Sequence, residues 1–251
     1  MGSDRFSVGR VLSVSARVWA RHLAGFVGIT ALAAAPLLVW GIVTMHWSHD
    51  LEALYRMLQW QAALGPVAAF VASTIIASHV VARLDGYAAS VRASLGRALP
   101  VLGAAIALAL VRHGSDQMFM SAVAPGQLST RTQLLRAAVG VLVQAPFFVA
   151  APVVVLERHN VTGTLARASA LVRRHAASFI AIQAANTAVI WGSNRVLAEL
   201  IGDSEAAWQA STIGLTLLTR SLLATVAAVS YDDLRVEHDG PRPDALAEVF
   251  A

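Results

Sequence analysis

The side chains in this chain that could do chemistry are almost all arginine. There are nineteen of them and no lysine, so neither a Schiff-base lysine nor the phosphate-gripping lysine of a P-loop is on offer. Eight, Arg10, Arg17, Arg21, Arg92, Arg97, Arg167, Arg173 and Arg174, lie in short segments beside long apolar stretches. A guanidinium presents a rigid fork of N–H donors that fits phosphate. Several of them at a membrane surface attract anionic headgroups. Arg220 is different. It lies about eleven residues before Tyr231, so along a helix it is ~16 Å from that end and near the middle of a bilayer. A charge at that depth is costly and faces the interior of a bundle. It reads either as a contact for an anion or lipid headgroup, or as a structural arginine satisfied by helix carbonyls, Gln144, Gln183 or Asn186.

Other chemistry is sparse. His46-Trp47-Ser48-His49-Asp50 places two imidazoles and a carboxylate together. Zinc takes such ligands, but the spacing is unspecific and no fourth ligand is evident. An ordinary polar loop explains the segment. The chain has no G-x-S-x-G, H-E-x-x-H, G-x-G-x-x-G or P-loop sequence, the patterns that position a nucleophile, a metal or a phosphate. It has no cysteine, which excludes disulfides and thiolate metal sites. No catalytic residue, metal or cofactor is therefore expected.

The elements that carry these arginines are apolar. Hydrophobic residues make up 57% and charged residues only 14%, where a soluble domain carries about 25% charge. The mean hydropathy is +0.61. Long apolar stretches run over 26–43, 64–82, 137–156, 179–189 and beyond, and 210–229, with a shorter sixth at 98–111. A bilayer core of ~30 Å needs about 20 such residues in a helix. The sequence thus predicts an all-α, polytopic membrane protein of six transmembrane helices. The third crossing is short unless the helix continues past Arg112 with that side chain snorkelling. Ala33-Ala34-Ala35 mimics a signal-peptide cleavage site, but the polar lead before the apolar run is too long for one, so an uncleaved first helix is expected.

An internal period of about 76 residues runs through the pattern. Arg21-His22-Leu23-Ala24-Gly25-Phe26 is echoed by Arg174-His175-Ala176-Ala177-Ser178-Phe179, with Arg97-Ala98-Leu99 between them. Arg83, Arg158 and Arg235 each end a returning helix. A repeat of this kind takes priority over local readings. It gives one membrane domain over 1–251 built from three parallel hairpins, at about 6–83, 87–158 and 160–235, followed by a cytoplasmic tail at 236–251. Each hairpin opens with an amphipathic helix. Val8, Val11, Leu12 and Trp19 share one face and Arg10, Arg17 and Arg21 another, the pattern of a helix lying in the headgroup plane. Leu165, Ala168 and Val172 against Arg167 and Arg174 repeat it, and Tyr87 to Arg97 does so weakly.

Arginine counts set the topology. The amino-terminal segment, the connections at 83–97 and 158–174, and the tail hold thirteen arginines; the opposite loops hold five, Arg56, Arg112, Arg131, Arg136 and Arg195. The positive-inside rule puts both termini in the cytoplasm. Trp40, Trp47, Trp60 and Trp208 then form an outer aromatic belt. The basic pI of about 10.6 reflects topology and lipid contact, and no nucleic acid is implied. Gln183, Asn186, Asn194 and Arg195 make the fifth span the most polar, as interhelical hydrogen bonding requires. No acidic residue falls mid-span, which weighs against proton coupling.

Three stretches resemble the bacterial membrane domain associated with glycerophosphoryl diester phosphodiesterases. They are Pro152-Val153-Val154-Val155-Leu156-Glu157-Arg158, the segment from Gly163 to Val172, and the terminal run Ala224 to Ser230 followed by Tyr231-Asp232-Asp233-Leu234-Arg235. The region from Phe6 to Pro36 is similar more loosely. The resemblance implies a stand-alone module of the bacterial cytoplasmic membrane. It lacks the catalytic barrel of some members, which needs ~250 residues of its own.

Together these readings predict a non-enzymatic integral membrane module that organises lipid or a membrane partner protein. The alternative is a small transporter or channel along the repeat axis. Tyr231, Asp233 and Arg235 are expected either to form a clasp with Glu157 and Arg158 at the cytoplasmic face, with Asp233 pairing to Arg158, or merely to cap the last helix and orient the tail. The topology is open to a direct check. A cytoplasm-dependent reporter fused after Ala245 should be active, and one inserted between Met118 and Gln127 inactive. A periplasmic C-terminus overturns the six-span reading.

Overall fold

The computed structural model describes residues 6–47, 51–82, 86–121, 130–201 and 204–240. Among these the chain is entirely helical. The elements are α1 (Val8–Arg21), α2 (Leu23–Trp47), α3 (Leu51–Val81), α4 (Tyr87–Leu95), α5 (Ala98–Ser121), α6 (Thr130–Gln144), α7 (Ala150–Leu156), α8 (Val161–Val172), α9 (Ala176–Ile201) and α10 (Glu205–Asp239), with 3₁₀ turns at Ala145–Phe147 and Arg173–His175.

Five segments are long and apolar enough to cross a membrane: Leu23–Gly41, Leu64–Val81, Ala98–Phe119, Arg131–Leu156 and Ala207–Asp239. The short third stretch of the sequence is one of them, because α5 runs on past Arg112 to Ser121. Its Pro100 sits in the first turn, where no intrahelical N–H bond is lost. The fifth stretch forms a helix of 26 residues, α9, but it is not among the five. Gln183, Asn186, Asn194 and Arg195 dilute its apolar character. The fourth is interrupted at Pro146, which lacks the N–H an α-helix needs there; the chain tightens into the 3₁₀ turn and restarts as α7.

α3 lies at the centre, packing on α2, α4, α5, α7 and α10. Its buried face is mostly small, Ala72, Thr74, Ala77 and Ser78, with Ile76 and Val81 as the larger members. α10 answers with Ser221, Ala224, Thr225, Ala227 and Ala228. Helices surrounded by lipid gain little from apolar burial against one another, so close backbone approach through small residues takes over. The hydroxyls do not remain orphaned. Thr74 donates to the Val71 carbonyl at 2.8 Å, Ser78 to Thr74 at 2.9 Å and Thr225 to Ser221 at 2.9 Å.

Packing is uneven along the bundle. All of α7 from Ala150 to Val155 is buried, enclosed by α3, α5, α8 and α10. The core continues into Val101 and Ala104 of α5, Leu171 and Val172 of α8, Phe179 of α9 and Val226 to Leu234 of α10. Toward the other end, Leu110, Met118, Leu134, Leu135, Val189, Trp191 and Leu200 are exposed, as lipid-facing side chains are. The tightly packed end is the end that gathers the arginine-bearing segments.

The three lead helices dock in a cyclic order. α1 packs on α10, α4 on α3, and α8 on α7, while α3, α7 and α10 touch one another inside. α1 spends its apolar face on protein: Val11 and Ser15 are fully buried. Arg10 pairs with Asp233 at one end, and Trp19 Nε1 donates to Ser221 Oγ at 2.9 Å near the other. The amphipathic pattern of α1 is thus explained largely by α10, with the arginine face and Leu12 exposed and Val14 and Val18 half-buried. α10 has 35 residues and continues past Arg235 to Asp239. Its length of ~52 Å exceeds the ~30 Å of a bilayer core, so the residues expected to begin a tail are helical.

The tightest approach is at the elbows. A Cβ on Gly25 would fall 2.2 Å from the Tyr87 ring. Gly25→Ala should therefore destabilise the protein by about 1–3 kcal/mol, the usual cost of overpacking, seen as a lower Tm in detergent. Gly28→Ala, with nothing within 4 Å of the added carbon, should melt with the wild type.

Candidate functional site

Glu157 is the hub of the arginine-bearing end. It closes α7, and the next residue, Arg158, takes the left-handed backbone conformation with φ 58°. That bend sends the chain into α8, whose first turn is capped by Asn160: Oδ1 accepts the Gly163 N–H at 2.8 Å. The carboxylate of Glu157 is thereby turned inward. Oε1 accepts the Tyr231 hydroxyl at 3.0 Å; Oε2 accepts Arg167 Nε at 2.9 Å and lies 3.1 Å from His159 Nε2. Tyr231 is fully buried. Arg167 also pairs with Asp239, and Arg97 donates to the His159 carbonyl at 2.9 Å. Burial weakens the charge of Arg167, but its hydrogen bonds to Glu157 and Asp239 outweigh that and raise its pKa above the ordinary arginine value.

The expected clasp is rearranged. Tyr231 and Glu157 do meet. Asp233 pairs with Arg10 of α1 rather than with Arg158, and Arg158 is exposed with no ion pair among the described residues. Arg235 stands near Tyr231, where its charge acts on the hydroxyl, without a salt bridge among the described residues. The register explains this. The bend at Arg158 points Glu157 and Arg158 in different directions, and α1 reaches the outer face of α10 first.

The eight arginines assigned to lipid separate into two groups. Arg10, Arg97 and Arg167 are held by protein acceptors. Arg17, Arg21, Arg92, Arg173 and Arg174 are exposed and form no ion pair among the described residues. Arg220 donates from Nη1 to the Gly65 carbonyl at 3.2 Å. Gly65 stands at the start of the Leu64–Val81 segment, so Arg220 links α10 to that part of α3. The backbone acceptor fits the structural reading of this residue. Gln183 and Asn186 are half-buried on α9, which packs on α6 and α10.

Some contacts had no local signal in the sequence. His22 Nδ1 lies 3.2 Å from the Tyr87 hydroxyl, and the His22 and His79 rings are 5.0 Å apart, edge to face. His79 and Tyr87 rings are 4.6 Å apart, with Phe26 packed beside them. This cluster fastens the α1–α2 elbow to α3 and α4. Phe6 stacks on His175 at 4.6 Å, and His175 Nε2 lies 3.1 Å from Glu237 Oε1. The small residue at Gly25 was the one available hint. Arg83, Arg242 and Ser48, His49 and Asp50 lie outside the described residues, as do the side chains of His46, Trp47, Arg56 and Trp60. Among the described residues no group of three or more His, Cys, Asp or Glu is placed to hold a metal ion.

The hub can be tested by a double-mutant cycle. Tyr231→Phe and Glu157→Gln should each lower stability, with a shared loss of about 1–2 kcal/mol, as for a hydrogen bond to a charged acceptor. Asp233→Asn with Arg158→Gln should be additive, whereas Asp233→Asn with Arg10→Gln should not.

No family model, curated protein or solved structure matches the chain.

Proposed function

We propose that the protein is a non-enzymatic, multi-pass module of the bacterial cytoplasmic membrane that organises anionic lipid at its arginine-bearing face. One observation carries the reading. At the end of the bundle where the lead helices dock, Arg17, Arg21, Arg92, Arg173 and Arg174 stand exposed and outside any ion pair among the described residues, while the acidic residues Glu157, Asp233 and Asp239 serve other cations. Uncompensated guanidinium groups at the end of a membrane bundle meet phosphate headgroups, each contributing on the order of 1 kcal/mol.

The finer architecture belongs to the same proposal. Six crossings in three parallel hairpins are supported by the cyclic docking of α1 on α10, α4 on α3 and α8 on α7. α9, which packs on α6 and α10, would be the sixth crossing, with Gln183, Asn186 and Asn194 half-buried. The resemblance of the 152–158 and 224–235 stretches to the membrane domain associated with glycerophosphoryl diester phosphodiesterases points the same way. The transporter alternative needs a polar path along the axis. The meeting place of α3, α7 and α10 is instead filled by Ala77, Val153, Val154, Val226 and Ala227, all buried, which favours the lipid module.

The experiment is lipid retention. Purified protein in nanodiscs of mixed phosphatidylcholine and phosphatidylglycerol should hold phosphatidylglycerol preferentially. Replacing Arg17, Arg21, Arg92, Arg173 and Arg174 with Gln together should reduce that preference severalfold without changing the melting temperature. Equal retention by the wild type and the five-fold variant rejects the proposal.

A further inference from the structure

Two hollows flank α1. One, of about 310 Å³, is lined by Val14, Arg17, Val18, Arg21 and His22. The other, of about 280 Å³, is walled by Val14, Val18, Val80, Val81 and Val229, with Arg10, Asp232 and Asp233 at its edge. Val14 and Val18 line both, so a molecule that passes over these two side chains touches both hollows. Volumes near 300 Å³ lie at the small end of ligand pockets.

The charges are distributed unequally. In the second hollow Arg10 is engaged by Asp233. In the first, Arg17 and Arg21 sit one helical turn apart on the same face, beside the His22 ring. Neither has a carboxylate partner among the described residues; Arg17 Nε reaches only the Ser13 carbonyl, at 3.4 Å. Two unneutralised guanidinium groups thus stand beside Val14 and Val18, half-buried side chains that also wall the second hollow. Isolated headgroup contacts would need the arginines alone. Valines bordering the same open space suit a ligand that is anionic at one end and aliphatic along its length.

We propose that the groove along α1 is a discrete site for one phosphate-bearing amphiphile. Its phosphate is held by Arg17 and Arg21, and an acyl chain runs over Val14 and Val18 toward Val80, Val81 and Val229. The proposal rests on the lipid-organising reading above and narrows it to a site and a ligand class. α1 is then a strap whose inner face is fixed to α10 by Val11, Ser15 and the Trp19–Ser221 hydrogen bond, and whose flank carries the ligand.

Native mass spectrometry and phosphatidylglycerol titration in phosphatidylcholine nanodiscs test it, with soluble glycerol phosphate and lysophosphatidylglycerol as competitors. Arg17→Gln with Arg21→Gln should weaken the tightest phosphatidylglycerol by about thirtyfold, the combined contribution of two such cations. Val18→Trp, which fills the groove and leaves the charge unchanged, should do the same. Arg92→Gln with Arg173→Gln and Arg174→Gln should lose weakly held lipid but keep the tight one. Lysophosphatidylglycerol should displace the lipid and glycerol phosphate should not. If the Arg17 and Arg21 variant keeps the tight lipid while the wild type still prefers phosphatidylglycerol, the groove proposal is overturned and the broader reading survives. If glycerol phosphate competes as well as the lysolipid, the site takes a soluble phosphate and the amphiphile is wrong. A wild type without preference for phosphatidylglycerol removes the broader reading itself.

Discussion

The arginine-bearing end of the bundle depends on one half-buried carboxylate. Glu157 sits where α7, α8 and α10 meet, its side chain 14% exposed. It is stable there because three donors converge on it: the Tyr231 hydroxyl, Arg167 and His159. The requirement runs in both directions. The same carboxylate fixes the depth of α10 through Tyr231 and the orientation of α8 through Arg167. Arg167 in turn ties down Asp239, near the end of α10. The left-handed residue Arg158 is what aims the carboxylate inward, so a strained backbone position and a half-buried charge stabilise one arrangement together.

A second constraint governs the rest of the bundle. Apolar side chains next to lipid gain little by leaving it, so helices must hold together by close contact and by polar links at their ends. The small faces of α3 and α10 supply the first. The polar links are concentrated at one end: Arg10–Asp233, the Glu157 hub, His175–Glu237 and the His22–Tyr87–His79 group. This concentration explains why burial is dense there and sparse toward Met118 and Leu200. It also explains why some arginines are left without a carboxylate among the described residues. The end holds more cations than acceptors, and those nearest the protein, Arg10 and Arg167, take the carboxylates, while Arg17, Arg21, Arg173 and Arg174 remain outside.

The amphipathic helices acquire a different meaning once the packing is known. An arginine face opposite a valine face reads as a helix floating at the headgroups. In α1 the valine face instead covers α10 and the end of α3, with Val11 fully enclosed. Only a flank of that face, Val14 and Val18, remains lined by open space. Periodicity reports that a helix has two faces. It carries no information on whether protein or lipid covers the apolar one, because both are equally apolar.

What the sequence determined by itself is the class of the molecule. The apolar stretches and their length require membrane-length helices, since backbone polar groups in hydrocarbon must be satisfied within the segment. The arginine-bearing segments place the charge beside those helices. Tyr231 and Glu157 were legible as members of one end of the bundle, though not as partners of each other. The tertiary structure alone decided the pairing. Asp233 goes to Arg10, 223 residues away along the chain. Arg167 turns from headgroup to hub, and His22, His79 and Tyr87 meet at an elbow. Arg220 finds its acceptor on a neighbouring helix because α3 and α10 pass each other with Gly65 beside it. Each of these depends on how helices cross, and crossing is set by the relief of both surfaces at once. A periodic pattern records one surface at a time, and for that reason the elements were readable while their partners were not.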